Sequence, residues 1–354
     1  MMGGVLNDIK NNDGICRMLI ALVGLVLSYN LQPVDALKIS STRRVDIIPS
    51  PSSSGIDRRQ VLQSVSNLGL PLVISYPSNN IAQAADPTSC CSRGKIFEVN
   101  DPDTYSGVAY IPPIQKSSGP YPLLVVLHGA GNNQHNALYE FTDSTSTPPG
   151  DHINLPPYLL STNQAPSSLS DNFVVVAPYV GKGKRSLYDE PRSNILSFIK
   201  WFNSYIESQT LDDGSKIAIN RQRVSLFGFS EGSTLAIELG TTRQFNGVVL
   251  CSYGFTGILP KMAIERLQGI PIWVFHSTAD DVYDIKCSNQ LVEGLLAYEG
   301  ALDVFGTGDT LKFTKLLPQQ SKNGGGNRDG YEHVRSALVA SKNNEVYTWL
   351  LSLQ

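Results

Sequence analysis

The chain has 354 residues, a formal net charge of −3, 41% hydrophobic and 17% charged residues. That balance is the one a soluble globular protein needs to bury a core, and it excludes a disordered or collagenous chain. No basic cluster argues for a nucleic-acid partner, and the short run Gly181-Lys182-Gly183-Lys184-Arg185 reads as a solvated loop without phosphate-loop spacing.

Residues 1 to about 85 hold no glutamate, and seven Lys/Arg stand there against five Asp, so the front is slightly basic and the remainder acidic. Arg17 precedes a compact apolar run, Met18 to Leu27, and Val34-Asp35-Ala36 offers small residues at signal-peptidase spacing. Residues 1–36 therefore read as a secretory signal peptide. The run falls short of the roughly 20 apolar residues of a membrane span, so no stable span is expected in the mature chain. Residues 37–84 begin Ser- and Pro-rich with Arg43 and Arg44, the composition of a transit segment. They continue with Arg58-Arg59, a moderately apolar stretch and Ala82-Gln83-Ala84, the parts of a twin-arginine signal. In series these units resemble a lumen-targeting presequence of an alga with a complex plastid, although Leu37 stands where that group usually has Phe. The resemblance implies the plastid, and within it the thylakoid lumen. Plain secretion is the competing address, and the lack of any N-x-S/T sequon accords better with an organelle.

Residues 85–354 read as one catalytic domain of alternating strands and helices. Strands are predicted near 107–112, 121–128, 172–179, 223–229, 247–253, 271–276 and 311–317. Helices are predicted near 190–208, 230–240, 261–268, 287–299 and 335–353. Val346, Trp349, Leu350 and Leu353 follow the i, i+3, i+4, i+7 spacing of a core-facing stripe. Such alternation gives a mostly parallel, doubly wound sheet flanked by helices. Residues 142–171, rich in Ser, Thr, Pro and Asn, read as a long loop beside the site. Cys251 reads as a small hydrophobe in its strand, and Cys90 and Cys91 as free to pair in an oxidising lumen, with partners that spacing does not fix.

The chemistry gathers at Arg223–Ser233, a strand running straight into Gly228-Phe229-Ser230-Glu231-Gly232. This G-x-S-x-G is a nucleophile elbow, in which flanking glycines permit a sharp strand-to-helix turn and lift the serine above the sheet edge. The following helix aims its first amides at the place where an oxyanion forms. A serine nucleophile needs a base and a carboxylate to orient that base, in the chain order Ser, Asp or Glu, His. Only His276 and His333 follow Ser230. His276 ends the apolar strand Pro271–Phe275 and reads as a support for the acid loop, which leaves His333 as the base. Asp280 and Asp281, just past that strand, are the neighbouring candidates for the acid. The oxyanion donors are expected to be the amides of Glu231 and Ala130, the latter in the His128-Gly129-Ala130-Gly131 turn.

Together these motifs resemble the α/β-hydrolase superfamily, and within it the esterase and predicted-peptidase branch near the phospholipase/carboxylesterase and dienelactone hydrolase groups. YPLLVVLHGAG resembles the strand and oxyanion element, and NRQRVSLFGFSEGS the elbow. HSTADDVY resembles the acid loop H-G-x-x-D-x-x-V/I-P, which places the acid on Asp280. The resemblance covers roughly residues 95–354. Ser277 and Ser233 replace common glycines, Tyr283-Asp284 stand where V/I-P often sits, and two residues separate Gly330 from His333. The resemblance implies a serine hydrolase of a carboxylic ester or related acyl bond, acting on a small-molecule substrate and calling for no metal or organic cofactor. A small-peptide serine peptidase of the same fold, or a ligand-binding protein on that scaffold, would use the same frame. Acyl specificity and oligomeric state are not written in these residues.

Overall fold

A computed structural model describes residues 94–113, 119–131, 135–143, 154–210, 214–255, 259–297, 310–319 and 331–353. The expected presequence units 1–36 and 37–84, together with Cys90 and Cys91, lie outside them. The described strands are β1 (Lys95–Asn100), β2 (Ser106–Ile111), β3 (Tyr121–Leu127), β4 (Val174–Tyr179), β5 (Ile219–Phe229), β6 (Gly247–Cys251), β7 (Ile272–Ser277) and β8 (Leu311–Leu316). The described α-helices are α1 (Ala137–Thr142), α2 (Pro156–Ser161), α3 (Ser167–Ser170), α4 (Arg192–Ser208), α5 (Glu231–Gly240), α6 (Lys261–Leu267), α7 (Lys286–Leu296), α8 (Tyr331–Lys342) and α9 (Asn344–Ser352).

The strands form one sheet in the order β1-β2-β4-β3-β5-β6-β7-β8. β2 runs antiparallel to both β1 and β4, and the pairs from β4 onward are parallel. All seven residues of β3 and all six of β4 are buried, as strands covered on both faces require. Alternation sorts their side chains between two cores. Leu123, Val125 and Leu127 join Phe198 and Phe202 of α4 and Leu235 of α5 on one face. Leu124, Val126, Phe227 and Phe229 join Phe141 of α1 and Tyr347 and Leu350 of α9 on the other. This is the α/β-hydrolase fold, as the motifs imply.

Three expectations are corrected. The described part of the anticipated 142–171 loop holds α2 and α3, because Pro156 and Pro157 occupy the first turn of α2, where a missing N–H costs nothing. The anticipated 335–353 helix is two, since Asn343 leaves the helical conformation and its side chain caps Glu345 N at 2.9 Å. The apolar stripe lies wholly in α9, with Val346, Trp349 and Leu350 all buried. β1, an edge strand with a single partner and mostly half-buried residues, lacked a strong apolar signal and was not anticipated.

Candidate active site

The carboxyl ends of the parallel strands set the site. Ser230 caps α5 between β5 and the helix, at φ 55° and ψ −124°, a region that side-chain-bearing residues rarely adopt. The neighbouring contacts explain the two elbow glycines. A Cβ at position 228 would stand 2.4 Å from the Gly232 carbonyl oxygen, and one at position 232 would stand 2.2 Å from that of Leu127. The turn is pinned across to β6, where Ser230 N donates to Cys251 O at 2.9 Å. Ser233, fully buried, reaches Gly228 O at 2.8 Å and Cys251 O at 2.7 Å, and accepts from Cys251 N at 3.0 Å. A glycine at 233 would leave those groups to pair elsewhere.

His333 Nε2 lies 2.9 Å from Ser230 Oγ, and its Nδ1 lies 3.0 and 2.9 Å from the two Asp280 oxygens. A carboxylate only accepts, so Nδ1 carries the proton and Nε2 is left as an acceptor for the serine hydroxyl. His333 stands just ahead of the helix predicted near 335–353. In the structure it sits in the first turn of α8, 4% exposed, because Tyr331 already begins that helix.

Asp280 Oδ1 accepts from the amides of Val282 and Tyr283 at 2.9 and 2.8 Å. Its Oδ2 accepts from Ser252 Oγ at 2.7 Å and lies 3.2 Å from His276 Nε2. Burial opposes its ionisation, but the hydrogen bonds from His276 and His333, the His333 charge and the Tyr283 amide outweigh burial. They hold the carboxyl well below the usual range. Asp281, the neighbouring candidate, is exposed. His276 takes the supporting place expected of it. Its Nε2 also faces Tyr283 O at 2.9 Å, so Nε2 donates and Nδ1 accepts from Ser288 Oγ at 2.7 Å.

The β3 loop closes the other flank of the serine. A Cβ at position 129 would come within 2.9 Å of Ser230 Cβ, so the backbone leading to Ala130 passes against Ser230. His128 is buried beneath this loop, with Nδ1 2.7 Å from Gly129 O and Nε2 accepting from Val180 N at 3.4 Å. Gly131 N donates to Arg185 O at 3.1 Å, and the Arg185 guanidinium meets the Glu231 carboxylate at 2.5 Å. The Lys184–Arg185 segment, expected to be merely solvated, is thus tied to both candidate oxyanion segments, while Lys184 pairs with Glu190 at 2.7 Å. The Glu231 amide opens α5 and has no acceptor within its own helix.

Several contributors carried no sequence signal. Ser252, at φ 51°, holds its hydroxyl among Asp280 Oδ2, His333 O at 2.8 Å and Ser336 Oγ at 2.6 Å. Glu332, 2% exposed, accepts from Ser277 Oγ and from Arg335 Nη1 at 2.7 Å. This gives Ser277 a reason to stand where the acid loop commonly has glycine: it fastens the end of β7 to the turn that carries His333. Further along the same sheet edge a cavity of about 430 Å³ is lined by His135, Asn136, Tyr139, Tyr179 and Lys182, and none of Ser230, Asp280 or His333 borders it. Among the described residues no three His, Cys, Asp or Glu side chains gather as metal ligands, and no helix is long and apolar enough to cross a membrane. Cys251 and Cys287 are free thiols, both buried, and burial pushes each of them up.

Residues 192–304 match the model of the phospholipase/carboxylesterase family. Among solved structures, the chain is similar to a thermostable esterase at 20% identity and a TM-score of 0.45, covering 74% of this chain. It spans only 63% of that esterase's length. It is similar also to a mutant of the feruloyl esterase module from Clostridium thermocellum, at 15% identity and a TM-score of 0.45, covering 72% of this chain and 88% of the module. The CE1 ferulic acid esterase from Anaeromyces mucronatus gives 15% identity and a TM-score of 0.42, covering 75% of this chain and 95% of that one.

Proposed function

We propose that this member of the α/β-hydrolase superfamily is a serine hydrolase that cleaves a carboxylic ester through an acyl-enzyme. The observation that carries the reading is the unbroken relay Ser230 Oγ, His333 Nε2, His333 Nδ1, Asp280, with each step at 2.9–3.0 Å. In this reading Ser230 Oγ attacks the ester carbonyl while His333 Nε2 takes its proton. The ionised Asp280 stabilises the resulting imidazolium and keeps its Nδ1–H turned inward. The amides of Glu231 and Ala130 hold the oxyanion, and His333 returns the proton to the departing alcohol oxygen. Water, deprotonated by the same imidazole, then attacks the acyl-Ser230 carbonyl and frees the acid. The carboxylesterase-type family match over 192–304 supports the same reaction class.

The test is turnover of short and long p-nitrophenyl acyl esters by the full chain beside Ser230→Ala and His333→Ala. We expect saturable hydrolysis that falls by roughly 10⁴-fold or more in either variant. Equal turnover by wild type and both variants would reject the relay as the catalyst.

A further inference from the structure

Tyr283 is the residue by which this acid loop departs from the aliphatic V/I of the motif it resembles, and its surroundings are unusually specific. Its amide donates to Asp280 Oδ1 at 2.8 Å and its carbonyl accepts from His276 Nε2 at 2.9 Å, so its backbone belongs to the acid network. Its ring meets the His333 imidazole edge to face, centroids 5.3 Å apart at 80°. On another side the ring lies on Gly254, in the segment after β6, where a Cβ would come within 2.1 Å of a ring carbon. A glycine there leaves the room that the ring occupies. Its side chain is half-buried. Burial pushes the phenol up, the nearby Glu231 carboxylate adds to that, and the Ser230 hydroxyl acts the other way. It is therefore a neutral phenol at working pH.

Strand order decides which half of a substrate it meets. β3 lies on one side of β5, and β6 and β7 lie on the other. The Gly129–Ala130 turn thus flanks Ser230 from one side, while Tyr283, Gly254 and His333 flank it from the opposite side. The departing alcohol must lie against the imidazole that protonates it. We infer that Tyr283, seated on Gly254 and edge-on to His333, walls the leaving-group half of the site and selects esters of small alcohols. The inference rests on the esterase reading above. It makes Tyr283 a specificity residue for the first half-reaction alone, because the alcohol has left before the acyl-enzyme is hydrolysed.

The experiment compares the full-length wild type with Tyr283→Val and Tyr283→Phe on two ester series. One holds the acetyl group fixed and varies the alcohol from methanol to butanol to 1-naphthol. The other holds p-nitrophenol fixed and varies the acyl chain. Tyr283→Val is expected to raise kcat/KM for 1-naphthyl acetate relative to methyl acetate by roughly tenfold over the wild-type ratio. It should leave the acyl-chain ranking unchanged, because the acyl group lies on the other side of Ser230. Tyr283→Phe keeps the ring and should keep the wild-type alcohol ranking. If Tyr283→Val does not fold, Tyr283→Leu reads the same ratio. An unchanged alcohol ratio in an active enzyme would overturn this inference alone, as would parallel shifts in both series or a Phe variant that behaves like the smaller ones. Wild type inert toward every ester, with Ser230 unlabelled by a fluorophosphonate, would overturn it together with the esterase reading.

Discussion

At Ser230 the backbone stores strain that the side chain puts to use. A residue with a Cβ at φ 55° and ψ −124° costs about 1–3 kcal/mol, and the contacts from Cys251 and Ser233 hold it there. Ser230→Gly should therefore raise the unfolding free energy by about 1 kcal/mol while abolishing hydrolysis, a pair of effects that urea titration and ester turnover would read separately. Ser277 offers the opposite test. Replacing it with the glycine common in the acid loop it resembles removes a hydrogen bond from the buried Glu332 and should cost about 1–3 kcal/mol, with kcat falling as the His333 turn loosens. Unaltered stability and rate in Ser277→Gly would show that Arg335 and the Gln319 amide suffice for Glu332. Ser230 was singled out because its neighbours must be small and His333 by chain order, while Asp280 was preferred to Asp281 only through the resemblance of the acid loop. The roles of Ser252 and Ser277 were not legible: a hydroxyl that braces a carboxylate through space leaves no periodicity and no spacing in the chain.

Among the elements, α5 bears the heaviest demand, since its first amide is the candidate oxyanion donor and its start fixes the nucleophile. It is anchored by Glu238, whose carboxylate meets Arg192 Nε of α4 at 2.5 Å and accepts from Tyr188 Oη at 3.0 Å. Arg192→Ala would strand this nearly buried carboxylate, an effect of about 3 kcal/mol, and should lower the denaturant midpoint more than Arg192→Lys does. Seven of the eight described strands, all but β1, were readable from their apolar runs, to within four residues at each end. Misreadings fell where one residue type serves two ends. Pro156 and Pro157 look like loop punctuation yet start α2, and Asn343 falls inside the single helix predicted over 335–353 yet ends one helix and caps the next. Asn343→Ala tests the second point, with an expected loss of about 1 kcal/mol.

For the molecule as a whole, the acid network ties stability to pH. The folded-state pKa of Asp280 lies below its unfolded value of about 3.9. Its contribution is therefore fully present above the unfolded value and is lost as pH falls through the folded one. The difference in thermal midpoint between wild type and Asp280→Asn should hold steady from pH 7 down to about 4 and shrink progressively below that. A difference that stayed constant would mean that the carboxylate contributes nothing through its charge. The proposed address is separable from the catalytic chemistry. Residues 1–84 fused to a fluorescent protein should carry it into the plastid of an alga with a complex plastid, and export of the fusion to the medium would favour secretion.

The central claim is that Ser230 is the activated nucleophile, and it is tested most directly by a fluorophosphonate probe followed by intact-mass and peptide mass spectrometry. The account predicts one adduct per chain on the peptide carrying Ser230, none in Ser230→Ala, and much slower labelling in His333→Ala. No adduct, or an adduct on a different residue, would contradict it.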